Sequence, residues 1–111
     1  MQLSRHLTVH GVQSVVYRQV FAYVMKLGYS VVDSRPDYML VSKKDLFSKD
    51  GEKYELWLTV AITGESFVTV FMDYQLRKAG LDENGWTDSQ KLLHDIDKEY
   101  HTLWSFLSKA A

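Results

Sequence analysis

His94, Asp97 and His101, three and four residues apart, form the densest set of metal-ligand types in the chain. On a helix this spacing puts all three on one face, an arrangement that a divalent transition metal can use. The same face also holds Gln90, Lys98 and Ser105 and lies opposite an apolar stripe, whereas metal centres sit in clefts with supporting groups. The expected reading is a solvated helix face without a metal. Nucleophilic chemistry has less to stand on. Gly64-Glu65-Ser66 falls in a hairpin turn and not at the strand-to-helix elbow that exposes a nucleophile. The six glycines are scattered at helix ends and turns, so no loop cradles a phosphate. With no cysteine, thiolate metal sites, cysteine nucleophiles and disulfide scaffolds are all excluded. No catalytic residue and no cofactor are expected, and the chain reads as a non-enzymatic domain.

The elements that would position any site fit one domain over residues 1–111, a length at which a single core suffices. Apolar residues at 46% and charged residues at 24% are ordinary for a globular chain, which excludes disorder. The formal net charge of −1 lacks the basic excess that nucleic-acid binding requires. No apolar run is long enough to span a bilayer, and Met1 to His10 does not read as a signal peptide. The expected setting is the cytoplasm, or the periplasm or cell envelope once a targeting segment is removed.

From Val12 to Leu27 the pattern is helical, with Val12, Val16, Val20, Tyr23 and Leu27 on one face and Gly28 as a left-handed cap. Leu7 and Val9 alternate with polar neighbours and hint at a short leading strand. After Gly28 the period becomes two, giving strands over Tyr29–Ser34 and about Tyr38–Lys44, with Arg35-Pro36-Asp37 as the turn between them. Asp45 to Glu52 reads as a loop with a turn at Asp50-Gly51. Tyr54, Leu56, Leu58, Val60 and Ile62 share one strand face, and Val68, Val70, Met72, Tyr74 and Leu76 repeat the alternation beyond Gly64. So short a connection forces antiparallel pairing. Ala79 to Trp86 is loop. Thr87 and Gln90 then have capping-box spacing before a closing helix lined by Leu92, Ile96, Leu103 and Leu107, flanked by Leu93, Tyr100 and Trp104. The order, an optional strand, a helix, four strands and a helix, predicts an α+β two-layer sandwich: an antiparallel sheet with both helices on one face. A helix ending at Gly28-Tyr29, followed by hairpins and a last helix, resembles in outline the helix-grip domains, including those of small bacterial envelope lipoproteins. That resemblance implies a fold and assigns no functional residue.

Function is then sought on surfaces. If Leu56 to Ile62 face the helices, Trp57 and Thr59 point away, and burial of Val68 to Met72 turns Phe67, Thr69 and Phe71 outward as well. Trp57, Phe67 and Phe71 would form an aromatic patch of the kind monomers seldom leave bare. A two-residue turn at Gly64-Glu65 would instead flip the register and bury Phe67 and Phe71. The leading expectation is a binding or assembly domain acting through Trp57, Thr59, Phe67, Thr69 and Phe71 on a protein partner or on itself, as a homodimer. A carrier holding a small apolar ligand between sheet and helices near Tyr23, Tyr54 and Tyr74 is the alternative. An enzyme without a recognisable motif is the third. Leu46 and Phe47, among Lys43, Lys44, Lys49 and Lys53, could touch a membrane surface or an acidic partner. Folding back over the end of the sheet is the stronger expectation for that tip.

Overall fold

The computed structural model describes residues 2–47, 53–78 and 89–110. Its elements are β1 (Gln2–His10), α1 (Gln13–Lys26), β2 (Ser30–Arg35), β3 (Tyr38–Phe47), β4 (Lys53–Gly64), β5 (Phe67–Lys78) and α2 (Ser89–Ala110). The strands form one antiparallel sheet in the order β1-β5-β4-β3-β2. The two-layer α+β arrangement expected from the periodicity is therefore the one observed. Among the described residues, no helix is long and apolar enough to cross a membrane.

Strict alternation builds the helix-facing side of the sheet. Tyr54, Leu56, Leu58, Val60 and Ile62 of β4 are buried, as are Val68, Val70, Met72, Tyr74 and Leu76 of β5. Met39 and Val41 extend that surface on β3, and Leu7 and Val9 on β1. Val16, Val20 and Val24 of α1 and Ile96, Leu103 and Leu107 of α2 close over it. The leading strand is longer than its two apolar residues suggested, because nine consecutive residues pair with β5 from Gln2↔Gln75 to His10↔Phe67.

The helix stripe differs from the expected one at its start. Val12 precedes the helix with extended backbone and stays 61% exposed, so it is not a core residue. The buried run of α1 is Val16, Val20 and Val24, a four-residue step, with Tyr23 and Leu27 half-buried beside it. The end of α1 follows expectation. Gly28 has φ of +94°, its N–H donates to the Met25 carbonyl, and the Tyr29 N–H donates to that of Val24. This is the paired-bond ending that leaves an apolar residue packed back on the helix, and Tyr29 is buried accordingly.

A second correction concerns β3. Leu46 and Phe47 were expected in a loop, yet pairing resumes after an irregularity beyond Lys43 and sets Leu46 against Tyr54 and Phe47 against Lys53. They belong to a strand, and their side chains lie outside the described residues. So do the Asp50-Gly51 turn, Thr87 and the side chains of Gln90, Leu92 and Leu93.

Gly64 carries φ of +118°, and a Cβ there would clash with the Phe67 carbonyl oxygen; a Cβ at Gly28 would meet nothing within 4 Å. Gly64→Ala should therefore destabilise the domain by more than about 1 kcal/mol, and Gly28→Ala by clearly less, since it adds only backbone strain. Urea unfolding of the two variants measures the difference.

Candidate functional site

The face of the sheet away from the helices carries the residues singled out as an interface. Thr63 pairs with Thr69 and Ala61 with Phe71, so this register keeps Val68 to Leu76 inside and leaves Phe67 and Phe71 67% and 43% exposed. The flipped register, with both phenylalanines in the core, is not the one adopted. Trp57 and Thr59 lie on the same face, half-buried, with Thr69.

The three aromatics do not form a single cluster, however. Trp57 stands opposite Gln75, four residues along β4 from the Ala61 that faces Phe71, or about 13 Å at ~3.3 Å per residue. Its indole N–H donates to Glu55 Oε2 at 2.9 Å, and the Arg77 guanidinium lies 5.1 Å from its ring centre. Gln75 in turn accepts from Arg77. Trp57 is thus held by its own neighbours. On its other side is Ser42, which is buried, and whose Oγ meets no hydrogen-bond partner among the described residues.

Phe67 and Phe71 have a different setting, provided by β1. His10 is the cross-strand partner of Phe67, with ring centres 5.3 Å apart, and His6 is the partner of Phe71 at 6.1 Å. Between them the Thr8 and Thr69 hydroxyls are hydrogen-bonded at 3.0 Å. Both histidines are exposed. The weak alternation of residues 6–10 pointed to β1, but no local pattern showed which strand it joins, so these partners were not foreseen.

On the helix side the notable group is Glu99, which sequence reasoning did not single out. From the middle of α2, its carboxylate meets the Lys43 ammonium of β3 at 3.2 Å and the Tyr29 hydroxyl at 3.2 Å. The Lys43 ammonium also lies 4.4 Å from the Tyr29 ring centre, a cation–π contact. Burial, followed by the nearby Glu99 carboxylate, pushes the Tyr29 and Tyr74 phenols far above the ordinary tyrosine value. The Tyr23 phenol is also raised, chiefly by burial, against a hydrogen bond to Thr102. An open groove of about 400 Å³ between the helices is lined by Tyr23, Leu27, Asp95, Lys98, Glu99 and Thr102. Of the tyrosines named for a ligand, only Tyr23 reaches this groove; Tyr54 and Tyr74 are buried in the core.

The histidine pair on α2 is exposed, whereas Asp97 is not a free solvated ligand. The Arg5 side chain, on the helix-facing side of β1, grips its carboxylate through Nε and Nη2, both at 3.0 Å. Asp97 sits one residue past the buried Ile96 and leans onto that strand. Among the described residues, no three His, Cys, Asp or Glu side chains are gathered to hold a metal ion.

No protein-family model matches the chain, and no curated protein matches it. Among solved structures it is similar to a DUF4468 family protein from Bacteroides ovatus, with a TM-score of 0.50 and 8% identity over 92% of this chain and 84% of that one. A second similarity is to the Zhui aromatase/cyclase from Streptomyces sp. R1128, with a TM-score of 0.44 and 11% identity over 96% and 91%. At these identities the first likeness shows the fold alone.

Two outcomes follow from the Glu99 cluster. Glu99→Ala strands a mostly buried ammonium and should cost about 2 kcal/mol, with Lys43→Met in the same chain recovering most of it, as denaturant unfolding would reveal. The raised phenols set a direction with pH. Below about 10 both states hold their phenolic protons, and the contribution is fully present; above it the unfolded chain loses protons that the folded chain keeps, so stability falls. Phenolate absorbance should rise in two phases, the second coinciding with loss of circular dichroism.

Proposed function

We propose that this chain is a non-enzymatic binding and assembly domain whose working surface is the open sheet face, and that the partner on that face is a second copy of the chain. The exposure of Phe67 and Phe71 carries the reading. The helices cover one side of the sheet, and the other presents two large aromatic side chains that gain nothing from contact with water. Each contributes about 1.5–3 kcal/mol when fully buried. β1, β5 and β4, nine to twelve residues long at ~4.8 Å spacing, present roughly 500 Å², below the ~800 Å² each partner gives a standard interface and in the range of a weak one. The charges of this face include Lys44, Lys53, Glu55, Asp73 and Arg77, with Asp33 and Arg35 paired on β2 level with Asp73 and Phe71, and are of both signs, so a second copy meets no field of one sign. The helix-grip outline and a cell-envelope setting belong to the same reading and carry no part of the argument.

A second reading is favoured by the groove beside Tyr23, which has the volume and mixed lining of a small-ligand site. The ligand would then lie between the helices and not between helices and sheet. The two readings separate in solution. On the first, sedimentation shows a mass that rises with concentration toward the dimer. Phe67→Lys and Phe71→Lys then return it to the monomer with little change in Tm, because both side chains project from the folded surface. Monomeric wild-type protein at all concentrations would reject the assembly reading, and unfolding of either variant would place its phenylalanine in the core.

A further inference from the structure

The side chains of the open face follow a pattern that reads the same in both directions along the strands. From one end, β1 presents His6, Thr8 and His10, and β5 presents Phe71, Thr69 and Phe67 directly opposite them. Each phenylalanine thus has a histidine neighbour, at 6.1 Å and 5.3 Å between ring centres, and the Thr8–Thr69 hydrogen bond stands midway. Thr63 of β4 continues the same row on the far side of Thr69. A two-fold dimer must place one patch against itself, so its surface must be complementary to its own rotated image. A sequence palindrome running along two adjacent strands meets that requirement.

We propose that two copies dock face to face about a two-fold axis lying along the row Thr8–Thr69–Thr63, with Phe67 of each copy packed on Phe71 of the other. This rests on the open-face reading above and adds the geometry that it lacks. Sheets packed about 10 Å apart leave room for phenyl rings from both sides to interdigitate over a row of small side chains. A residue on a two-fold axis meets its own image, and threonine there brings no like-charge repulsion, whereas an ionised residue would. Glu55, Asp73 and Arg77 are all off the axis row. The palindrome covers only part of the face, which points to a weak, concentration-dependent dimer.

The chain has no cysteine, so a single substitution introduces a lone thiol. Thr69→Cys, Thr63→Cys and, far from the row on β2, Ser30→Cys are treated with a short bis-maleimide after their masses are measured by sedimentation. The axis brings the Thr69 and Thr63 positions next to their own images, so covalent dimer should exceed that of Ser30→Cys by at least about tenfold, the advantage of a high effective concentration. An axis along β5 instead would link Thr69→Cys but not Thr63→Cys, which overturns the proposed orientation. A dimer in which neither threonine variant links overturns the axis and leaves the assembly reading standing. A wild-type chain that stays monomeric overturns both.

Discussion

The pairing of β4 with β5 about Gly64 is the constraint on which both faces of the sheet depend. Because Ile62 opposes Val70 and Ala61 opposes Phe71, two runs of alternating apolar residues turn the same way, and ten consecutive inward positions meet the helices. A shift of one residue would exchange the faces, burying Phe67, Phe71 and Asp73 and expelling Val68, Val70 and Met72. The left-handed Gly64 enforces the choice sterically, and the burial of ten side chains enforces it energetically. The outer neighbours then follow. β1 pairs with the free edge of β5, so His6 and His10 come to rest against the phenylalanines.

Sheets of this kind must also deal with their edges. β1 has a strand on one side only, and its other side offers backbone groups for pairing with another chain. Two side chains occupy carbonyls of this strand: Arg5 Nη1, from the strand itself, donates to Ser4 at 2.9 Å and the Tyr100 hydroxyl, from α2, to His6 at 2.8 Å. Arg5 is itself held by Asp97, so the ion pair that removes Asp97 from any metal set also secures the cover of the edge. At the opposite edge, β2 is six residues long and interrupted by a bulge at Val32, which breaks its register with β3. Both edges are therefore poor templates for strand addition.

How far such features can be read beforehand depends on whether they are local. The alternation of β4 and β5, the run of α1 and its ending at Gly28 were legible because each is a pattern within a few residues. The side of the sheet on which Trp57 lies was legible by parity; that of Phe67 and Phe71 stayed open between two registers of the hairpin, and the pairing of Thr63 with Thr69 decides it. The separation of the three aromatics was not legible, since distance along a hairpin depends on where the turn is centred, and that depends on the backbone at Gly64. Val12 was misplaced because its apolar character extends the helical stripe by one turn while the chain is still extended there. Asp97 and Leu46-Phe47 were misread for a related reason: their surroundings are supplied by β1 and by β4, distant in sequence. Glu99 gave no signal, being one acid among several on a polar helix, distinguished only by Lys43 and Tyr29 waiting beneath it.

The contrast between Glu99 and the open face bears on which surface works. A carboxylate with little access to water is the usual mark of a reactive or ligand-binding group, but here its acceptors are engaged internally. One oxygen takes the Lys43 ammonium and the other the Tyr29 hydroxyl, so a ligand entering the groove would compete with bonds already formed at short range. The cluster joins α2 to β3 and to the end of α1, and that joint holds the helix layer on its side of the sheet. On the opposite side several polar groups are likewise engaged with one another, Ser4 with Asp73, Thr8 with Thr69 and Trp57 with Glu55, while the buried Ser42 Oγ has no partner among the described residues. What has no internal partner of its own kind there is the apolar surface of Phe67 and Phe71, and apolar surface is satisfied by exclusion of water and not by a specific donor. The physical demand on this molecule therefore lies on the sheet face, where a second surface can meet it, more than in the groove, where the chain has met it already.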